Sequence, residues 1–310
     1  MTGKIDVHQH LVPPAYRRAL ETGSRTPGGW PVPDWTPEGA LAMMDEAGIA
    51  TGVLSISSPG VHFGDDVAAR ELARETNDYH AELVKDRPGR FGQFAVLPLP
   101  DVEAATAEAV RALDELHADG IALLSNVNGR YLGDPAYEPL WTELDARSAV
   151  VFVHPAEPPM PRLAGLPSPV LDFPADTTRS ALDLVAHGVF DRHPRLRVIL
   201  SHGGGFLPYA AHRFEFASMF NPGTTEESIY AGLRRFYFDT ALASTPTSLP
   251  SLLAFAAPGH ILYGSDSPFN PPPSRLRFDG WLDTYEGLSE TDLAAVHRTS
   301  AEALFPRLAR

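Results

Sequence analysis

Eight times along this chain a short β-branched or aromatic run gives way to a segment of helical period, and that alternation restricts the fold more than any other feature. The runs that read as buried strands are residues 5–10, 51–57, 91–97, 120–125, 149–154, 197–202, 235–241 and 260–266. Helical periodicity covers 38–48, 66–86, 101–120, 136–146, 178–188, 207–218, 247–256 and 290–304. Strands that alternate with helices form parallel sheets, because each crossover helix returns the chain to the same edge direction. Eight such units predict a closed (β/α)8 TIM barrel. Its 310 residues are an ordinary size for one barrel, and no linker or composition break divides it, so a single domain over 1–310 is expected.

Three longer inserts, 11–37, 155–176 and 267–289, follow the first, fifth and eighth strands and are rich in Pro and Gly. Loops after barrel strands lie on the C-terminal face, where barrel active sites are built. The polar residues at the strand ends are therefore the ones to read. KIDVHQHLVPP (4–14) places His8 and His10 two positions apart, so a strand aims both imidazoles to one side. They form either half of a metal site or a pair of polar residues satisfied by backbone groups. His154 ends the fifth strand, His202 the sixth and Asp266 the eighth. Five potential ligands or acid–base groups thus emerge on one rim.

Other positions carry weaker signals. His62, in SSPGVHFGDD (57–66), sits on the active rim and is a candidate pocket residue. Asn126 and Asn128 follow the fourth strand, where they either donate to substrate or form a turn. Phe63, Trp141, Phe173, Phe269 and Trp281 are candidates for stacking on a ring, with core packing as the alternative. Asp176, Thr177, Thr178 and Arg179 are expected to open a helix as its cap. Asp6 is expected to be a structural hydrogen-bond acceptor. The remaining histidines fall on helices, in turns or at strand starts and are expected to be solvated or structurally bonded.

A formal net charge of −14, with no basic stripe to offset it, argues against nucleic acid or an anionic membrane as partner. No apolar run is long enough to cross a bilayer, and no charged leader with an apolar core opens the chain. Zero cysteines rule out disulfides, thiolate metal sites and a cysteine nucleophile, and they fit a cytoplasmic protein. The positive charge comes almost entirely from arginine, the side chain suited to two-point recognition of a carboxylate, so a small anionic substrate remains open.

Taken in order, HQH (8–10), HP (154–155), SHGGG (201–205) and GSD (264–266) resemble the amidohydrolase superfamily, and within it the decarboxylase branch. The resemblance implies that His8, His10, His154 and Asp266 bind one divalent metal, with His202 beside the substrate or a metal-bound water. Two-metal amidohydrolases carry a bridging lysine at the end of the fourth strand. That position lies near LLSNVN (123–128) and holds none, which implies a single ion. Zn²⁺ is favoured by three imidazoles and a carboxylate, and Mn²⁺ or Fe²⁺ also suit such donors. The resemblance further implies a homodimer in which Arg213 reaches the neighbouring active site and holds a substrate carboxylate.

Two reactions use such a centre. One is metal-dependent, nonoxidative decarboxylation of a small ortho-hydroxyaryl (salicylate-like) or related enol carboxylic acid, with release of CO2. The other is hydrolysis of a lactone, ester or amide by metal-bound hydroxide. The first is the expected activity, with His202 and Asp266 as its catalytic residues and His62, Arg213 and Asn126 as substrate contacts. Ring substituents stay open, since one methyl group changes binding by only ~1–3 kcal/mol.

Overall fold

The computed structural model describes residues 3–309 and contains the expected barrel. Eight strands form one parallel sheet in sequence order: β1 (Lys4–His10), β2 (Ile49–Ser55), β3 (Phe91–Val96), β4 (Gly120–Leu124), β5 (Val150–His154), β6 (Arg197–Leu200), β7 (Tyr237–Asp239) and β8 (Ile261–Leu262). The segment after β8 returns to β1 and closes the sheet. Val7 N–H donates to Tyr263 O at 3.0 Å, Asp266 N–H to His8 O at 2.8 Å and His10 N–H to Ser267 O at 2.7 Å.

An inner cluster fills the barrel with Ile5, Val7, Val53, Phe94, Ala122, Val150, Phe152, Ile199 and Leu262. Ala301, Leu304, Phe305 and Leu308 join it from the C-terminal segment. That segment is tied to the N-terminal ends of the strands, for Arg298 donates to Gly3 O and Arg307 pairs with Asp119 beside β4. One end of the barrel is thereby sealed with apolar side chains, which leaves the C-terminal end for chemistry.

Within β1, an irregularity sets the site. Ile5 and Val7 belong to the inner cluster, so in a regular strand His8 and His10 would face the other way. The register against β2 shifts between Asp6 and Gln9, where β1 carries one extra residue. This bulge reverses the phase, and both imidazoles turn to the same side as the apolar residues below them. Asp6 is left outside the histidine group. It accepts Ser265 N–H at 3.0 Å, Ser265 Oγ–H at 2.6 Å and His8 N–H at 3.1 Å, the structural role expected of it.

The helices follow the periodicity, with corrections at their ends. The segment read as 66–86 is Asp66–Asp86, capped by Asp65 accepting from Ala68 N–H. The 101–120 segment is helical only over Val102–Asp114. The fifth-unit helix starts earlier than expected, at Asp172, because Pro174 is tolerated in a first turn, where its missing N–H would have had no partner. Asp176 to Arg179 therefore lie inside this helix and do not cap it. All three inserts carry helix, over Pro14–Thr22, the start of Asp172–Ala186, and Pro272–Asp283. A helix at Glu226–Leu233 went unread because only Ile229 and Leu233 are buried along it. No helix among the described residues is long and apolar enough to cross a membrane.

Candidate metal centre

His8, His10, His154 and Asp266 converge at the open end of the barrel. One ligand atom from each lies within 4.8 Å of all the others, and all four residues are buried. The β1 bulge delivers the two strand-1 imidazoles, and the last residue of β5 delivers His154. Asp266 arrives on the turn after β8, in the left-handed region at φ +56°. That conformation is rare for a side chain with a Cβ and is held by bonds from Asp266 N–H to His8 O and from Asn270 N–H to Asp266 O.

Hydrogen bonding fixes the tautomer of each imidazole. His8 Nδ1–H donates to Asp239 Oδ2 at 2.8 Å, His10 Nδ1–H to Ser55 O at 3.1 Å and His154 Nδ1–H to Pro155 O at 2.9 Å. In each ring a carboxylate or carbonyl claims the Nδ1 proton, so the neutral ring turns an Nε2 lone pair inward. His8 Nε2 and His10 Nε2 then face each other at 3.0 Å. Two lone pairs at that distance repel unless a metal ion or a proton lies between them. Asp266 Oδ1 is 3.4 Å from His8 Nε2 and 3.2 Å from His10 Nε2, adding a negative oxygen at the same point. Three locked nitrogens and one carboxylate fit one divalent metal ion.

The electrostatics agree. Burial opposes charge on His8, yet Asp239 and Asp266 outweigh it and push the imidazole up to about 10. His10 and His154 are held below the ordinary imidazole range, first by burial and then by the neighbouring rings. Burial also works against the Asp266 carboxylate, but the imidazoles of His10, His202 and His8 around it prevail and hold it well below the usual range. The pocket favours positive charge at its centre.

His202 stands beside this group and not in it. Its Nε2 is 3.5 Å from Asp266 Oδ2, its Nδ1 is buried without a partner among the described residues, and its φ is +54°. Asp239 anchors it, accepting His202 N–H at 2.9 Å and Ala241 N–H at 3.0 Å through Oδ1 while Oδ2 orients His8. Asp239 was not singled out from the sequence. It ends β7 in RFYFDTA, so the same strand-end rule that picked His154 would have found it.

A cavity of about 750 Å³ opens over the centre, bordered by Ser57, His154, His202 and Asp266 and walled by apolar groups that include Phe173 and Phe269. Phe269 packs edge-on to His10 and Phe173 to His154. Phe63, Trp141 and Trp281 do not border it. Phe63 lies under Arg25, Trp141 is core with its indole N–H on Leu132 O, and Trp281 packs on Phe278. His62 pairs with Asp66 at 2.9 Å, and Asn126 donates to Glu157 O and Asp176 and accepts Gly129 N–H. Neither borders the larger cavity. Asp176 is buried and also accepts from Ser125 and Tyr131. Arg213, at the end of the Leu207–Phe214 helix, is exposed and unpaired among the described residues. Of the histidines expected to be solvated or structurally bonded, His80 bonds Gly92 O, His193 Glu138, His260 Phe236 O, His187 Asp183 O and His212 Glu215, and His117 is exposed.

Comparison with known proteins agrees with the centre. The amidohydrolase family model matches residues 5–307. The chain is 40% identical over 314 residues to a 6-methylsalicylic acid decarboxylase of Penicillium expansum, covering 98% of this chain and 97% of that one. It is 32% identical over 338 residues to a γ-resorcylate decarboxylase of a Rhizobium species, with 98% of each chain covered. A crystal structure of a dihydroxybenzoic acid decarboxylase from a Polaromonas species, with bound manganese and the inhibitor 2-nitroresorcinol, matches with a TM-score of 0.85 at 27% identity, covering 100% of this chain and 98% of the other. Sequence similarity that runs from the first strand to the last helix leaves one assignment: this chain belongs to the amidohydrolase family, in its decarboxylase branch.

Proposed function

We propose that the chain is a metal-dependent, nonoxidative decarboxylase of small aromatic carboxylic acids with an ortho-hydroxyl group. The observation that carries this reading is the set of three imidazoles, each locked through Nδ1, whose Nε2 lone pairs meet the Asp266 carboxylate under an apolar cavity large enough for a ring. His8, His10, His154 and Asp266 would hold the ion. When bound, it supplies a Lewis-acid template for a carboxylate and a neighbouring oxygen.

The rest of the chemistry falls to the chain's own residues. Phe173 and Phe269 give the ring apolar walls. Asp266 Oδ2 and His202 Nε2, 3.5 Å apart, hold a proton between them and deliver it to the ring carbon that bears the carboxylate. The carbon–carboxylate bond then breaks, its electron pair restores the aromatic ring, and CO2 leaves. The named decarboxylases among the relatives support this over hydrolysis, since both reactions would use the same open centre.

Zinc or manganese is proposed as the ion. Three nitrogens and an oxygen serve either, and manganese is the metal of the Polaromonas structure. A homodimer is also proposed, with Arg213 completing the neighbouring pocket. The helix that carries it and the turn after it expose Tyr209, Phe216, Met219 and Phe220, an apolar strip flanking an arginine that has no partner among the described residues. A cytoplasmic setting is proposed on the cysteine-free composition.

The deciding experiment measures headspace CO2 from metal-replete protein offered a panel of 2-hydroxybenzoates, with lactones and esters in parallel. CO2 release without carbonyl hydrolysis is expected. Turnover of lactones or esters alone would overturn the reading.

A further inference from the structure

The metal centre borders a second, smaller cavity. It has a volume of about 290 Å³ and lies among the segments that follow β2, β3, β4 and β5. Ser57 and His154 border both cavities, and their side chains meet at 3.5 Å between Oγ and Nε2. One hydroxyl and one imidazole edge are thus the partition at the metal end.

The smaller cavity is kept open by small residues. Ala122 belongs to the inner barrel cluster, yet it is 7% exposed where its neighbours Phe94 and Phe152 are 1% and 0%. Gly60, at φ +76°, passes so close to β4 that a Cβ there would lie 3.0 Å from Leu124 Cδ1. Its lining is mainly apolar, with Val61, Leu97, Leu99 and Leu124 among it, and also includes Ser57, Ser58, His62, Asn126, Asn128 and Glu157. Among the described residues no Arg or Lys lines it, so no permanent cation there would hold an anion.

These features fit a small neutral molecule made at the metal end. An aromatic acid seated in the larger cavity places its carboxylate at the centre and its ring toward the larger mouth. CO2 freed behind that ring meets Ser57 and His154 first. We infer that the smaller cavity is the passage by which CO2 leaves the centre, and by which it enters in the reverse direction. This rests on the decarboxylase reading.

The test narrows the passage from two walls, with Ala122→Val from the barrel side and Leu124→Phe from the partly exposed side. Melting temperature and metal content identify the variants that keep their fold. Exchange of ¹³C-labelled CO2 into the substrate carboxylate is then followed against dissolved CO2. The half-saturating CO2 concentration should rise on the order of tenfold in both variants, with the KM for the aromatic acid unchanged. Crystals under xenon should show an atom in the smaller cavity of the wild type and none there in Leu124→Phe, since dry apolar cavities take up xenon. An active wild type whose folded, metal-loaded variants keep the same CO2 dependence would overturn the passage alone. A wild type that releases no CO2 from any 2-hydroxybenzoate would overturn the decarboxylase reading and the passage with it.

Discussion

One oxygen of Asp239 lies 2.8 Å from His8 Nδ1, and its other oxygen accepts the backbone N–H of His202 at 2.9 Å. A single buried carboxylate at the end of β7 therefore orients an imidazole aimed at the metal centre and fixes the backbone of the neighbouring His202. Removing it should disturb both. Asp239→Ala is expected to weaken metal affinity by about 10–100-fold, the usual effect of deleting a partner that orients a metal-binding histidine. Chelator competition measures this. Unchanged affinity in folded protein would contradict the role given to Asp239.

His154 and His202 should separate cleanly. His154→Ala removes a nitrogen from the centre, so metal and activity should be lost together. His202→Ala should keep its metal, because His202 lies outside the four-residue group, while turnover falls on the order of 10²-fold or more with the loss of a proton carrier. Metal analysis alongside steady-state kinetics distinguishes the two, and metal loss in His202→Ala would make it a ligand.

Metal binding should be pH-dependent. His8 is pushed up to about 10 in the metal-free chain by Asp239 and Asp266 against the opposing effect of burial, so near neutrality a proton occupies the place of the ion. Loading the metal must release it. Apparent affinity should therefore climb with pH by up to about tenfold per unit until pH approaches 10. The stability of the metal-free chain runs the other way. A raised imidazole contributes fully below its unfolded value of 6.5, and that contribution fades as pH rises toward 10. Asp266, held low, contributes above its unfolded value of 3.8 and loses that contribution as pH falls. Calorimetry in buffers of different ionisation enthalpy counts the released proton, and affinity independent of pH would refute the exchange.

Arg213→Ala should raise the KM for an aromatic acid while metal content and melting temperature hold, because the exposed guanidinium has no partner among the described residues. Unchanged kinetics would remove Arg213 from the site.

The strand–helix alternation was plain in the sequence because parallel barrel strands are apolar over their whole length and their helices carry a clear stripe. The metal group was readable for a related reason: strand ends share one rim, so His8, His10, His154 and Asp266 could be placed together before their distances were known. The β1 bulge was not readable, since one extra residue leaves no mark in composition. Asp239 is legible only from its place at the end of β7, since RFYFDTA carries no histidine or short motif beside it. The early start of the Asp172–Ala186 helix was hidden by Pro174, which usually marks a break. Which cavity His62 and Asn126 border depends on the folding of two loops, and neither loop has a periodicity to read.

Anomalous diffraction at the metal's absorption edge, from crystals grown with one equivalent of Zn²⁺ or Mn²⁺, bears most directly on the account. It should show a single peak bonded by the Nε2 atoms of His8, His10 and His154 and by the Asp266 carboxylate. A peak elsewhere, or one at this point with any of the four turned away, would contradict it.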